Sequence, residues 1–234
     1  MFKVLKQYLI AQNRITDYLK YALGEIFLVM IGILLAIQVN TWNEARRHLE
    51  KERIILNDLH SDFKQNLERF REIKEKQFTT FNNGAIFFRN IDKLHIPTSR
   101  DSVYKYVTGM FGGYTYYPSN GVVKSLISTG DIGYIRNDTL KKYLVSWNDV
   151  YSEFAHRVDI DIRFWSNQIE PYIIQNGSFY EFESDKNKTL VEDPKFLSML
   201  VRKQHYNGNV VSSIQNKNGI EFYMKEIVRL TRKK

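Results

Sequence analysis

The stretch YALGEIFLVMIGILLAIQVNTW, Tyr21–Trp42, determines how this chain is organised. Crossing a hydrocarbon core of about 30 Å takes about 20 helical residues, and this stretch has that length. Its strictly apolar centre is residues 26–37, and aromatic residues typical of a membrane interface, Tyr18 and Trp42, stand near its two ends. The sequence therefore predicts a transmembrane helix over residues 21–42.

Two other interpretations of this stretch are less favoured. A cleaved signal peptide would end in a small-residue cleavage site, whereas Gln38, Val39 and Asn40 follow the apolar run. A core helix of a soluble protein would alternate apolar and polar residues, whereas FLVMIGILLAI is unbroken. We therefore expect an uncleaved signal anchor that contacts the lipid bilayer.

One face of the anchor carries residues suited to helix packing. Glu25, Gly32 and Ala36 fall near this face at helical spacing. The small residues Gly32 and Ala36, four apart, let two backbones approach closely. The pattern predicts weak homo-oligomerisation through this face, although a lone glycine is also common in membrane helices.

The segment GEIFLVMIGILLAIQVNTWNE, Gly24–Glu44, resembles the signature of a family of single-pass Bacteroidota membrane proteins of unknown function. A later segment, SLISTGDIGYIRNDTLKKYL, Ser125–Leu144, is similar to a second recurrent block of that family. The resemblance implies a membrane location and a helical domain. It implies no activity, and hence no catalytic residue.

The anchor divides the chain into unequal parts. Residues 1–20 form a short basic segment that would lie as an amphipathic helix on the membrane surface, and residues 43–234 are long enough for one compact domain. Lysines and arginines are similarly frequent on both sides, so charge alone leaves the orientation open. A short cytoplasmic head and a long translocated tail is usual for such an anchor. We expect a bacterial inner-membrane protein with residues 43–234 in the periplasm.

Composition excludes several classes of function. The chain has 234 residues, a formal net charge of +8 and no cysteine, so it can form no disulfide and no thiolate metal site. Its basic residues are interspersed with acidic ones, as in EARRHLEKER, which is typical of solvated helix faces. We therefore expect no nucleic-acid partner.

Apolar periodicity after the anchor predicts an all-α fold with a helical bundle built on two long helices. The first, residues 43–79, carries an apolar stripe that includes Leu59, Phe63 and Phe70, is interrupted by Asn66 and ends at Gln77. The second runs from Asp138 to about residue 174, and its recurring positions include Asp161. The stripe fits a parallel coiled-coil stalk or an intramolecular bundle, and its phenylalanines and polar positions favour the bundle.

Turn and capping residues mark the remaining elements. Asn82–Gly84 should weaken the first helix, and a helix capped by Asp101 or Ser99 should run to about Met110. The predicted helix boundaries and irregular segments are a loop at residues 112–118, an N-cap at Ser119, a C-cap at Gly130, an N-cap at Asn137, a short strand or extended arm in residues 178–184, a helix from Asp193 and Pro194 to Gln204, and a last helix over residues 207–232.

No residue pattern supports a catalytic site. Glu153 and His156 have the spacing of a di-iron ligand pair, but that site needs two further glutamates that the pattern does not supply. Asp159 and Asp161 fall on different sides of a helix, and the glycines before Tyr114 lack the lysine of a phosphate loop. We expect no cofactor, no metal and no enzymatic activity.

A tyrosine-rich region is the remaining candidate for function. Tyr104, Tyr114, Tyr116 and Tyr117 are typical of core and loop packing, but such residues also make good contact surfaces. The sequence thus favours a structural or interaction protein of the cell envelope that binds itself or another envelope protein. The alternative is a periplasmic ligand-binding sensor, which would need a partner protein because residues 1–20 are too short for an output domain.

Overall fold

The computed structural model describes residues 15–181 and 184–232, and all regular structure in these residues is helical. The all-α prediction is therefore confirmed for them, and a long apolar N-terminal helix precedes the others. The surface helix predicted for residues 1–20 falls mostly outside the described residues.

The helices are numbered here in chain order. They are α1 (Ile15–Arg89), α2 (Pro97–Gly109), α3 (Gly121–Thr129), α4 (Asp138–Phe164), α5 (Glu170–Asn176), α6 (Asp185–Leu190), α7 (Pro194–Gln215) and α8 (Ile220–Thr231), with 3-10 turns at Ile91–His95 and Asp131–Tyr134 and a π-helical turn at Trp165–Ile169.

By internal contacts the chain divides into two compact units, Met1–Arg53 and Ile54–Lys234. In the first unit, the apolar part of α1 is a candidate membrane span, and none of its most apolar window is buried. Its large side chains are exposed, for example Leu28 and Trp42. A core helix of a soluble protein would instead bury its apolar residues, so the exposure agrees with the predicted anchor.

The first helix is longer than predicted. Asn83 and Gly84 lie inside α1, which continues without a break to Arg89. Asn83 donates from Nδ2 to the Gly109 carbonyl at 3.1 Å, and a Cβ atom on Gly84 would collide with the Gln204 side chain. These two residues therefore serve close packing against other elements, and their turn-forming character is overridden.

The break predicted between Gln204 and residue 207 is wrong. Helix α7 runs through both, and the chain leaves helical structure only at residues 216–219. Gly208 lies within α7, where a Cβ atom would meet the Phe81 ring at 3.3 Å, so its small size allows close packing against α1.

The second long helix is irregular near its end, where Pro171 follows a π-helical turn. A proline lacks the N–H that regular helical bonding would use.

Several predicted caps are confirmed, and two are wrong. Helix α2 begins at Pro97 with Ile96 before it, so both Ser99 and Asp101 lie inside the helix. Gly130 ends α3 with a left-handed φ of 78°, and Asn137 caps α4 by accepting from the Leu140 N–H. Asp193 caps α7 in the same manner, accepting from Lys195. Helix α3 is preceded by Asn120 and not by Ser119, because the backbone of Ser119 is bonded to a side chain of α1.

The segment predicted as a short strand, residues 178–184, is irregular where the structure describes it. Residues 178–181 belong to no helix and no strand, and residues 182–183 lie outside the described residues. Asn187 on α6 holds this segment: its Oδ1 accepts from the Ser178 N–H at 2.7 Å, and its Nδ2 donates to the Ser178 carbonyl. The segment is therefore bonded to a side chain and not to a second strand.

Unit 54–234 contains two separate clusters of buried apolar side chains. The first core is formed by Leu59, Phe63, Phe70, Tyr116, Val123, Leu126, Ile135, Leu140, Leu144, Trp147, Phe154, Val158, Val210, Ile214, Ile220, Met224 and Ile227. The second core is formed by Phe87, Leu94, Val103, Tyr104, Val107, Met110, Ile169, Ile173, Leu190, Val191, Phe196 and Leu200. The apolar stripe of α1 is thus buried within the chain, as the bundle interpretation predicted.

A substitution of Phe63 would test how much the first core contributes to stability. Its ring meets Trp147 edge-on at a centroid distance of 5.0 Å, and its side chain is fully buried. We expect Phe63→Ala to lower the free energy of unfolding by roughly 3–5 kcal/mol, because it removes buried surface and leaves a cavity. Urea unfolding of the full-length protein in detergent would measure this. The exposed residue Val145 is the control, and Val145→Ala should change the value by less than about 0.5 kcal/mol.

Candidate functional site

A polar layer separates the two apolar cores. It consists of Gln77 and Thr80 on α1, Asp161 on α4, and Lys203 and Asn207 on α7, and all five side chains are buried. On α1 and α7, residues of the first core lie on one side of the layer along the chain and residues of the second core lie on the other. On α4, first-core residues precede Asp161, and the next second-core residue, Ile169, lies in the π-helical turn that follows the helix. Buried polar side chains need hydrogen-bond partners, and here backbone carbonyls of the non-helical residues 110–114 accept from Gln77, Lys203 and Asn207.

Residues 111–120 are the non-helical segment that crosses this layer, and they are named here the crossing segment. Its carbonyls, together with that of Met110, accept hydrogen bonds from side chains at every second residue. Met110 accepts from Asn207 at 3.0 Å, Gly112 from Lys203 at 3.4 Å and Tyr114 from Gln77 at 3.1 Å. A period of two is that of extended backbone, so the segment runs as a single strand between helices.

The far end of the crossing segment is held by α1 and α4. Tyr116 accepts at its carbonyl from the Tyr151 hydroxyl at 3.3 Å, and Asn120 Oδ1 accepts from the Trp147 indole at 2.7 Å. Asn66 makes two bonds to Ser119, donating to its carbonyl and accepting from its N–H, both at 2.9 Å. The Asn66 side chain thus pairs with Ser119 as an opposing strand residue would.

A buried ion pair is the centre of the polar layer. Lys203 Nζ lies 2.7 Å from Asp161 Oδ1, and both side chains are 0% exposed. Burial raises the pKa of Asp161 and lowers the pKa of Lys203, and the attraction between the two opposes both shifts. Because Lys203 also donates to Gly112, the pair joins α4 and α7 to the crossing segment.

Three oxygens of the polar layer have no hydrogen-bond partner among the described residues: Gln77 Oε1, Asp161 Oδ2 and Asn207 Oδ1. All three are acceptors, so each requires a donor such as an ordered water molecule or a backbone N–H. The layer therefore bonds to backbone carbonyls and leaves three buried acceptor oxygens for further donors. The one carboxylate of the layer is paired with a lysine.

Two of the four tyrosines predicted as a possible contact surface are buried in the structure. Tyr104 is buried in the second core and Tyr116 in the first, where its ring meets Phe70 at 4.9 Å. Neither ring is available to a partner, because each fills a core. Tyr114 is half-buried, with the Lys76 ammonium 5.6 Å from its ring centroid, and Tyr117 is 74% exposed. A contact surface can therefore use Tyr114 in part and Tyr117 in full.

The Glu153 and His156 pair lies in a shallow cleft between α4 and α7, with a volume of about 210 Å³. Glu153 accepts from Arg157 at 2.7 Å, so its carboxylate is already engaged by a cation. Arg157, Ile160, Tyr206 and Asn209 complete the lining. Within the described residues no group of three or more histidines, aspartates and glutamates is placed to hold a metal ion. Asp159 pairs with Arg163 on the surface of α4 and does not meet Asp161.

The predicted packing face of the anchor is accessible in the structure. Glu25, Gly32 and Ala36 are all exposed on α1, and a Cβ atom on Gly32 would meet no atom within 4 Å among the described residues. The face is therefore free to contact another helix, and its use in self-association stays a prediction.

Sequence patterns identified part of the polar layer. Gln77 and Asp161 occur at apolar-stripe positions of the two long helices, and a polar residue at such a position indicates a buried polar contact. Lys203 and Asn207 give no comparable signal, because the predicted break between Gln204 and residue 207 separates them. Their partners also lie far away in sequence, 42 residues in the case of Lys203 and Asp161.

Comparison with known proteins identifies one family. A model described as "Family of unknown function (DUF6090)" matches residues 25–204. The match begins inside the apolar part of α1 and includes the polar layer up to Lys203. No curated protein and no solved structure matches the chain.

The ion pair can be tested by a double-mutant cycle. We expect Lys203→Met to lower the free energy of unfolding by roughly 3–5 kcal/mol, because it leaves the Asp161 carboxylate buried and unpaired. Asp161→Leu combined with Lys203→Met should cost less than Lys203→Met alone, since it removes both charges. Arg157→Met is the matched control. It breaks a surface pair of the same 2.7 Å length and should cost at most about 1 kcal/mol in urea unfolding.

Proposed function

We propose that this chain, which belongs to the DUF6090 family of unknown function, is a single-pass membrane protein of the bacterial cell envelope with a structural or interaction role. The observation that carries the proposal is the exposed apolar part of α1, which the family match includes from residue 25 onward. A cleaved leader would not be expected inside a family match that continues through the folded domain. We therefore infer that the apolar part of α1 stays attached to the bundle.

The location of the charged residues supports an interaction role over catalysis. The buried ion pair of Asp161 and Lys203 is fully enclosed, so a substrate cannot reach it, and Lys203 also donates to the Gly112 carbonyl of the crossing segment. In the layer around it, Gln77 and Asn207 are bonded to backbone carbonyls. These groups support the position of one segment, and the segment in turn presents Tyr117 to solvent.

A ligand-binding sensor is the second candidate, and the cleft between α4 and α7 favours it. Acidic and basic side chains, Glu153, His156 and Arg157, line this cleft. Its volume of about 210 Å³ is enough for a small polar molecule. Such a sensor would pass its signal to a partner protein. Pull-down from gently solubilised membranes would identify that partner.

The proposed topology places residues 1–20 in the cytoplasm and residues 43–234 in the periplasm. A phosphatase that is active only outside the cytoplasm, fused after Lys234, should therefore be active in a bacterial host. The matched fusion within residues 1–20, before the anchor, should be inactive. Activity of the early fusion alone would reverse the orientation.

Self-association in the membrane is the test of the interaction role. In lipid, helices associate through close packing and hydrogen bonds, each contributing at most about 1–2 kcal/mol, so Gly32 and Ala36 should support a weak homo-oligomer. We expect Gly32→Leu with Ala36→Leu to weaken the crosslinked dimer band in membranes. Ile33→Leu is the control, because it changes an apolar residue outside the small-residue pair. An undiminished dimer band would exclude this face.

A further inference from the structure

The crossing segment has two backbone edges, and they differ in their surroundings. The carbonyls of Gly112, Tyr114 and Tyr116 face inward and accept hydrogen bonds from the bundle. In extended backbone, the N–H and C=O groups of neighbouring residues point in opposite lateral directions. The backbone groups of Gly113, Thr115 and Tyr117 therefore face away from the bundle. These three residues are named here the outer edge.

Side chains confirm that the crossing segment lies edge-on in the groove between α1 and α4. Tyr114 and Tyr116 point to α1, where they meet Lys76 and Phe70. On the opposite side, a Cβ atom on Gly113 would contact Ile162 of α4 at 2.6 Å. Helices α1 and α4 flank the crossing segment, and the bundle covers its inner edge. The outer edge is therefore the side of the backbone that faces solvent.

The outer edge is exposed and unpaired within the part of the chain that the structure describes. Gly113, Thr115 and Tyr117 are exposed, whereas Tyr116 between them is buried. Gly113 has no side chain, so its exposure is that of its backbone. None of the three residues makes a backbone hydrogen bond to another described residue. An unpaired edge of extended backbone is a template for a further strand.

We propose that the outer edge pairs with the same edge of a second copy of this chain, as an antiparallel two-stranded ribbon centred on Thr115. In this register Thr115 faces Thr115 of the second copy, and Gly113 of each copy faces Tyr117 of the other. Residues that face each other across an outward edge exchange N–H and C=O bonds. The exposed Tyr117 ring covers the backbone of the opposing glycine, so the edge is complementary to itself.

The sequence around the edge explains why a second copy is the partner. Residues 106–123 carry no charged side chain, whereas exposed strand edges that avoid pairing are usually protected by charges. The same uncharged edge on a second copy brings no unpaired charge to the contact. The next residue that would continue this edge, Ser119, has its N–H and C=O bonded to the Asn66 side chain, which limits pairing to one short ribbon and does not extend it into a fibre.

This pairing rests on the proposed membrane anchor. A ribbon of such short strands is marginally stable in water. Copies held in the same membrane are concentrated relative to one another, so a weak contact can form between them. The outer edge therefore adds a second contact to the one proposed for the anchor face.

The chain contains no cysteine, so single cysteines introduced into the full-length protein report contacts without background. Facing residues of a bonded antiparallel pair have Cα atoms about 5.5 Å apart, which a disulfide can span. In membranes treated with a mild oxidant, Thr115→Cys should form a disulfide-linked dimer. Ser152→Cys, at an exposed position on α4 outside the edge, should not. Adding Tyr117→Pro to Thr115→Cys should abolish the dimer, because proline removes an edge N–H, and adding Tyr117→Phe should preserve it.

A further reporter, Leu49→Cys, separates the two proposals, because Leu49 lies on α1 shortly after the anchor. Dimer at Leu49 without dimer at Thr115 overturns edge pairing and leaves the anchor contact intact. Absence of dimer at both positions overturns edge pairing together with self-association. Equal dimer at Ser152 and Thr115, or dimer that survives Tyr117→Pro with an unchanged helical circular dichroism signal, also overturns it. Dimer at Thr115 that depends on the Tyr117 N–H supports it.

Discussion

Backbone that passes through a helical bundle without being helical must find hydrogen-bond partners outside its own segment. The crossing segment meets this constraint with side chains. Its carbonyls accept from Asn66 and Gln77 on α1, from Tyr151 on α4 and from Lys203 on α7. An apolar residue at one of these positions would leave a buried carbonyl unpaired. The polar layer and the separation of the two apolar cores both follow from this requirement.

The polar layer also constrains how the helices align. Removing Asp161 and Lys203 from water costs several kcal/mol per ion, so the pair is weak evidence for stability by itself. Its geometry is specific, however, because the 2.7 Å contact forms only when α4 and α7 are in one register. Leucine and phenylalanine contacts in the neighbouring cores are less selective, since apolar packing has no direction. We therefore regard the layer as the feature that determines the alignment of the long helices.

The same kind of apolar helix has opposite surroundings in the two units of the chain. In Met1–Arg53 the apolar side chains of α1 are exposed, and in Ile54–Lys234 the apolar stripe of the same helix is buried. The first pattern suits contact with lipid on all sides, and the second suits contact with other helices on one side. Glycines illustrate the difference: Gly32 has open space around it, whereas Gly84 is packed against Gln204.

Amino-acid periodicity predicted the helical class, the long apolar N-terminal helix and the inward positions of Leu59, Phe63 and Phe70, because each helix carries its own periodicity. The same patterns put Gln77 and Asp161 on inward faces, and local residue preferences located the caps at Gly130 and Asn137. The folded chain was needed to show that Lys203 pairs with Asp161, that Asn83 and Gly84 continue α1, and that Tyr104 and Tyr116 are core residues. These outcomes depend on contacts between distant segments, and such contacts override local preferences for turns and for exposure.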